Sequence, residues 1–321
     1  MKIAILDDYQ NIIKELDCFR MLAGQDITIL HETEKDKTLL AEKIKDAEII
    51  VLTRERTEID EALLSKLPKL KLISQTGKIS NHLDLKACSK YGVLVSEGIG
   101  STVAPAELTW ALLMNTVRQI PQAIDGMRKG KWQTTIGTSI SDKTIGIWGY
   151  GKIGQRIANY AKAFGAKVLV WGSENSRNLA VTHGFHSAES KEVFFKTADI
   201  ITLHLRLNDA TYGIVKEKDL GLMKPTSTLI NTARAELIEK DALKKSLKRG
   251  KPGFAGVDVY EDEPIYDRNY DLFRLTNVVC TPHLGYVERS GYELYFGKAF
   301  ENVISFQEGV PTNIANPELI K

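Results

Sequence analysis

Cysteine is scarce: three residues in 321, Cys18, Cys88 and Cys280, odd in number and far apart. That excludes a disulfide framework and any CxxC metal pair, and it points to a reducing compartment. No apolar run approaches the roughly 18 residues that a membrane-spanning helix needs. The start, MKIAILDDYQ, has neither the apolar core of a signal peptide nor the Arg/Ser bias of a transit peptide. Charge of one sign is also missing. Forty-three Lys and Arg face 41 Asp and Glu, a net +2, and no basic stretch is interleaved with aromatics. A nucleic-acid surface is therefore not expected. The default is a cytoplasmic protein with neither membrane nor nucleic acid as partner.

What is present is alternation. The length exceeds the roughly 100–200 residues of an average domain, so two domains are expected. Apolar strand-like segments IAIL (3–6), ITIL (27–30), EIIVL (48–52), LKLISQT (70–76) and GVLVS (92–96) are separated by helical patterns. A long helical pattern from about Pro105 to Val117 follows, in the position of a connecting helix. A second series then begins: TIGIW (144–148), KVLVW (167–171), DIITLHL (199–205), STLINTA (227–233), PGFAGVDVY (252–260) and NVVCTPH (277–283). A last helical pattern runs from about Val287 to Gln307. Short apolar strands alternating with amphipathic helices imply parallel sheets covered by helices on both faces. Two doubly wound α/β domains are expected, with the final segment returning to the first.

The stretch IGIWGYGKIGQRIA contains G-x-G-x-x-G as Gly149, Gly151 and Gly154, between a strand and a helix. In that context Gly149 permits the tight turn, Gly151 lets a pyrophosphate approach the backbone, and Gly154 allows helix and strand to pack closely. The loop, with Tyr150, Lys152 and Ile153 between the glycines, is a candidate dinucleotide site. Its phosphates would meet the free N–H groups and positive dipole end of the helix.

The next strand ends in VWGSENSRN (170–178). NAD-preferring sites usually place a carboxylate at this strand end for the ribose hydroxyls. Here Gly172 stands there, so the 2′-phosphate of NADP meets no repulsion. Ser173 can donate a hydrogen bond and Arg177 can pair with a phosphate. Glu174, two residues past Gly172, would share its face if the strand continued, and could then bind the ribose itself. NADP or dual use is slightly favoured.

Three strand ends carry candidate chemistry: Arg234 in INTARAEL, Asp258 and Glu263 in GVDVYEDEP, and His283 in CTPHLG. The carboxyl ends of parallel strands are where open α/β folds bind ligands. His titrates near neutral pH, a neighbouring carboxylate favours its imidazolium, and a guanidinium grips a carboxylate bidentately. His204, at one further strand end, and Thr232, two residues before Arg234, are placed beside the cofactor. His183 and His186 have helical i, i+3 spacing without a carboxylate or Cys cluster, so no metal site is expected.

Together with RERT (54–57), LPKLKLISQTG (67–77), AELTWALLM (106–114), LMKPTSTLINTARAELIEKDAL (222–243), AGVDVYEDEP (255–264) and TPHLG (281–285), these motifs give a resemblance over nearly the whole chain. The chain resembles the D-isomer-specific 2-hydroxyacid dehydrogenases. The resemblance implies a flavodoxin-like substrate domain split between residues 1–100 and 287–321, and a Rossmann-type nucleotide domain inserted at 101–286. It implies that Arg234 binds the substrate carboxylate, His283 is the acid/base with Glu263 as partner, and Asp258 holds the nicotinamide carboxamide. A homodimer is also implied, with the 105–117 region as a reasonable interface.

Besides the missing ribose acid at Gly172, two places leave the family pattern and bear on the ligands. The substrate loop usually reads G-x-G-x-D-N-I-D, whereas Gly77 begins G-K-I-S-N-H-L-D, with Ile79 at the second glycine and Lys78 adding a cation. The usual H-x-P is His204-Leu205-Arg206. With Arg54, Gly77 and Lys78 as substrate contacts, the expected activity is NAD(P)H-dependent reduction of glyoxylate or hydroxypyruvate. Phosphoglycerate dehydrogenase is one alternative, with Arg54, Arg56 or Lys78 on the phosphate and no room for a C-terminal regulatory domain. Formate dehydrogenase is disfavoured by Glu263, where that branch has Gln. A dinucleotide-sensing corepressor is the alternative outside enzymology.

Overall fold

The computed structural model describes residues 1–320 and divides into two compact units, Met1–Ser101 with Val287 onward, and Thr102–Tyr286. The first unit holds strands β1 (Lys2–Ile5), β2 (Asp26–Ile29), β3 (Ile49–Leu52), β4 (Leu72–Gln75) and β5 (Leu94–Ser96), all parallel, in the order β2-β1-β3-β4-β5. Every residue of β3 and β4 is buried, as expected for strands covered on both faces. The long helix Arg289–Gln307 belongs to this unit. Phe300 meets Phe19 edge-on, the Ala299 carbonyl accepts from Ser74 Oγ at 2.8 Å, and Glu293 accepts from the Asp17 and Cys18 amides. The tail then closes the β5 edge: Asn316 accepts from the Val95 amide and donates to the Val93 carbonyl, both at 2.9 Å. An open edge would otherwise template pairing with another chain.

The second unit holds β6 (Thr144–Trp148), β7 (Lys167–Trp171), β8 (His186–Ser187), β9 (Ile200–Leu203), β10 (Thr228–Asn231), β11 (Phe254–Val257) and β12 (Val278–Cys280). They form one parallel sheet, β12-β11-β10-β9-β6-β7-β8. The order reverses at β6, which lies between β7 and β9, and that reversal opens a crevice at the carboxyl ends. The first sheet has its own reversal, between β1 and β3.

Several details differ from the sequence reading. Strand β8 has two residues, too few to show a period. The run PGFAGVDVY leaves the sheet after Val257, because Asp258 turns into the candidate site. His183 and His186 do not share a helix. His183 caps the helix Glu174–Thr182 and His186 lies in β8, because the chain turns at Gly184 with φ +78°. The helix Val103–Val117 packs Leu112, Leu113 and Val117 into the core of the second unit, among Ile145, Ile147 and Ile230. These three residues are therefore spent inside the unit.

Candidate active site

The glycine loop sits at the sheet's reversal. Gly149 has φ +100°, a left-handed conformation that glycine adopts freely, and a Cβ there would lie 2.7 Å from the His204 carbonyl oxygen. A Cβ on Gly154 would fall 2.1 Å from the Gly149 carbonyl oxygen, so helix and loop touch there. At Gly151 a Cβ would meet nothing within 4 Å. Gly151 is also the N-cap of the helix Lys152–Ala163, and no side chain caps that end. Open space over an uncapped helix N-terminus fits a dinucleotide pyrophosphate. Tyr150 is different: its ring is buried and its hydroxyl meets His183 Nδ1 at 3.0 Å, so only its backbone faces the loop. Ile153 packs on the core and Lys152 is exposed.

Strand β7 ends at Trp171, and Gly172 follows with φ +155°. Ser173 then caps the helix Glu174–Thr182, its Oγ accepting from the Ser176 amide at 3.3 Å. Glu174 is thus a first-turn helical residue, so the alternation that would have placed it on the face of Gly172 does not apply. The Arg177 guanidinium lies 4.9 Å over the Trp171 ring, and its buried Nε has no hydrogen-bond partner. On the other side of β6, His204 Nε2 meets Thr202 Oγ1 at 3.0 Å, and burial pushes the imidazole down to about 4. His204 is therefore neutral at physiological pH. The Thr232 hydroxyl meets that of Thr109 at 2.6 Å.

Arg234, Asp258 with Glu263, and His283 follow β10, β11 and β12, three adjacent strands about 4.8 Å apart. His283 Nδ1 and Glu263 Oε2 are 2.7 Å apart, with side chains 19% and 17% exposed. The other Glu263 oxygen accepts from the Tyr260 amide at 2.8 Å, which fixes the carboxylate. With Nδ1 on Glu263, Nε2 is the ring nitrogen turned away from that carboxylate. Arg234 donates from Nη1 to the Ala233 carbonyl at 2.6 Å, and Asn231 Nδ2 donates to the Arg234 carbonyl at 2.8 Å.

Asp258 is fully buried and carries more than sequence reasoning assigned to it. Oδ1 accepts from Thr281 Oγ1 at 2.6 Å and the Leu284 amide at 2.7 Å, and Oδ2 accepts from the Gly285 amide at 2.9 Å. Burial pushes this carboxyl up to about 6 against the pull of those three donors. The clamp brackets His283, whose φ of +51° is costly for a residue with a Cβ. Asp258 therefore holds the turn that presents His283. The sequence signal was only an Asp at a strand end.

In the first unit, Arg54 also has a left-handed backbone, φ +54°. Its amide donates to Thr76 Oγ1 and its carbonyl accepts from Gln75 Nε2, both at 2.8 Å. A Cβ on Gly77 would fall 2.0 Å from Arg54 Nη1, so the guanidinium lies directly on that glycine. It also stands 5.5 Å from the Tyr295 ring centre. Lys78 pairs with Glu97 at 2.7 Å, and the other Glu97 oxygen accepts from the Ile79 amide at 3.0 Å. The amide at the missing second glycine is thus engaged within the chain. Sequence reading passed over Glu97, which no motif marks.

A parallel sheet with a glycine loop at its reversal and a His–Glu pair at neighbouring strand ends defines a dinucleotide-dependent oxidoreductase. Residues 110–285 match the family model described as D-isomer specific 2-hydroxyacid dehydrogenase, NAD binding domain. The chain is 35% identical to a glyoxylate reductase of Thermococcus litoralis over 88% of its length and 87% of that protein. It is also 35% identical to a D-3-phosphoglycerate dehydrogenase of Methanocaldococcus jannaschii, over 78% of this chain but only 48% of that protein. A crystal structure of a phosphoglycerate oxidoreductase from Vibrio cholerae superposes with TM-score 0.94 and 52% identity, covering 96% of this chain and 99% of that one. The chain belongs to the D-isomer-specific 2-hydroxyacid dehydrogenase family.

Proposed function

We propose that this chain reduces a small 2-oxo acid, glyoxylate or hydroxypyruvate, to the D-2-hydroxy acid with NADH or NADPH. The observation that carries the reading is the 2.7 Å contact of His283 Nδ1 with Glu263, which holds the imidazole in one orientation and favours its charged form. When bound, the reduced nicotinamide supplies the hydride to the carbonyl carbon. Arg234 grips the substrate carboxylate, and His283 Nε2 delivers the proton to the carbonyl oxygen. Asp258, by clamping the turn, keeps Nε2 aimed. Gly77, the Arg54 guanidinium lying on it, and Lys78 border the substrate in the first unit. A phosphorylated substrate is the second reading, favoured by Arg54 and Arg56 at the end of β3.

For the cofactor, Gly172 offers no carboxylate to repel a 2′-phosphate. Ser173, Arg177 and the N-terminus of the helix Glu174–Thr182 offer hydrogen-bonding and positive groups. Dual use with a lean to NADPH is the cofactor reading, and Glu174 is the residue that would restrain it. The test is steady-state reduction of glyoxylate, hydroxypyruvate and phosphohydroxypyruvate with each cofactor in parallel. Turnover with NADPH at least matching NADH is the expected result. A strict NADH preference would assign the ribose to Glu174, and no turnover of any 2-oxo acid would sink the reductase reading.

A homodimer is part of the proposal, with its contact moved from the 105–117 region to the segment 127–136. Met127, Trp132 and Ile136 are 63%, 76% and 91% exposed, an apolar stretch that a second copy would cover. Sedimentation should give a dimer, and Trp132→Lys with Ile136→Lys should give a monomer. A monomeric wild-type chain would refute this interface.

A further inference from the structure

Tyr150, between the first two glycines of the loop, carries a side chain that the reductase chemistry does not use. Its ring is 3% exposed and packs edge-on against Phe185, with 6.2 Å between ring centres. The imidazole of His183 lies 5.7 Å from the same ring, centre to centre. The Tyr150 hydroxyl meets His183 Nδ1 at 3.0 Å, across 33 residues of sequence. Burial pushes that hydroxyl up, so it keeps its proton and can donate to the imidazole. A core position by itself asks only for the ring, which Phe would supply; the hydroxyl adds one directed bond.

His183 is the C-cap of the helix Glu174–Thr182, its amide donating to the Leu179 and Ala180 carbonyls at 3.0 and 3.1 Å. The opposite end of that helix starts at Ser173, next to Gly172. There the loop is tied a second time. The Gly149 amide donates to the Trp171 carbonyl at 3.0 Å, and a Cβ on Gly172 would lie 3.8 Å from the Gly149 nitrogen. The loop is thus anchored both to the strand end that leads into the helix and to the helix C-cap. Nine residues of helix span about 13 Å at roughly 1.5 Å per residue, stiffened by backbone hydrogen bonds. With both ends pinned, the spacing between the glycine loop and the ribose end is set before a dinucleotide arrives. A ligand that meets a preorganised site loses no affinity to ordering it.

We infer that Tyr150 and His183 are positioning residues for the dinucleotide: their hydrogen bond locks the glycine loop to the helix after β7 and so holds the pyrophosphate and ribose sites at a fixed spacing. This rests on the reading of the glycine loop as the dinucleotide site. Both residues act through the backbone they hold, since the Tyr150 ring is buried and His183 stands at the helix end away from Gly172.

The experiment titrates NADH, NADPH and ADP-ribose onto the wild type, Tyr150→Phe, His183→Leu, His183→Asn and the double variant Tyr150→Phe/His183→Leu, and follows thermal unfolding of each. Tyr150→Phe keeps the buried ring and removes only the hydroxyl. Tyr150→Phe and His183→Leu should each weaken all three ligands by about three- to tenfold, the range of one lost hydrogen bond. The two side chains share that bond, so the double variant should bind no more weakly than either single one. His183→Asn, whose Oδ1 takes the place of Nδ1, should restore most of the affinity. In steady-state reduction the loss should fall in KM for NADH rather than in kcat. A bond that merely supports the fold would lower Tm and leave ligand affinity unchanged, which would overturn the inference. So would losses that add in the double variant, because the two residues would then act separately. A wild type that binds none of the three ligands would overturn the reading of the loop itself, a result distinct from an unmoved affinity in the variants.

Discussion

Replacing His283 by Asn lowers kcat for glyoxylate reduction by about 10²–10⁴, the usual loss when a positioned acid is removed. Cofactor binding, followed by quenching of intrinsic fluorescence, should be retained. Asn suits this test because the backbone at 283 is left-handed, φ +51°, and Asn tolerates that region better than most residues. The companion variant Glu263→Gln tests how the histidine is set. The carboxylate 2.7 Å from Nδ1 favours the imidazolium, which is the form that delivers the proton during reduction. Without that charge His283 loses its proton at lower pH, so the high-pH limb of the reduction profile moves to lower pH. An unshifted limb would mean that Glu263 only orients the ring. Full activity in the His283 variant would remove the histidine from the chemistry altogether.

Two neighbouring glycines should fail in opposite ways. Gly154→Ala places a methyl group 2.1 Å from the Gly149 carbonyl oxygen and 3.3 Å from Ile147 Cγ2. Backbone cannot yield as a flexible side chain can, so the helix Lys152–Ala163 must shift. Overpacking of this kind costs about 1–3 kcal/mol. Each kcal/mol lowers Tm by roughly 2–4 °C in a domain of this size. Because the shift moves the helix N-terminus, the affinity for NADH should fall as well. Gly151→Ala meets nothing within 4 Å in the chain itself, and its φ of −81° is open to any residue. Its Tm should be unchanged, while affinity for NADH falls at least about tenfold, equivalent to 1.4 kcal/mol. Thermal unfolding and titration of both variants separate the two effects. If Gly151→Ala bound NADH normally, the open space above that glycine would not be where the pyrophosphate lies.

The legible parts of this protein were those written in short spacings. Gly149, Gly151 and Gly154 sit between a strand and a helix within one stretch of sequence, so the loop could be read without coordinates. The apolar runs marked 11 of the 12 strands, because a strand buried on both faces reads as a continuous apolar segment. Arg234, Glu263 and His283 each stand in a local motif just past a strand, and the parallel arrangement brings such ends to one edge of a sheet.

What the sequence could not decide depends on where a chain stops and what it folds back against. Strand β7 ends at Trp171 and a helix begins at once, which changes the direction of Glu174; a strand terminus is a competition between ladder and cap that local periodicity does not resolve. Asp7 meets Thr33 and Thr57 from 26 and 50 residues away, and Asp258 meets Thr281, Leu284 and Gly285 from 23 to 27 residues away. These partners are adjacent only because parallel strands in register carry their carboxyl ends to the same level. A buried carboxylate must find donors wherever the fold supplies them, so its partners are a property of the tertiary structure. The sequence alone determined the family of chemistry; the packing of strand ends decided which carboxylate holds the histidine turn.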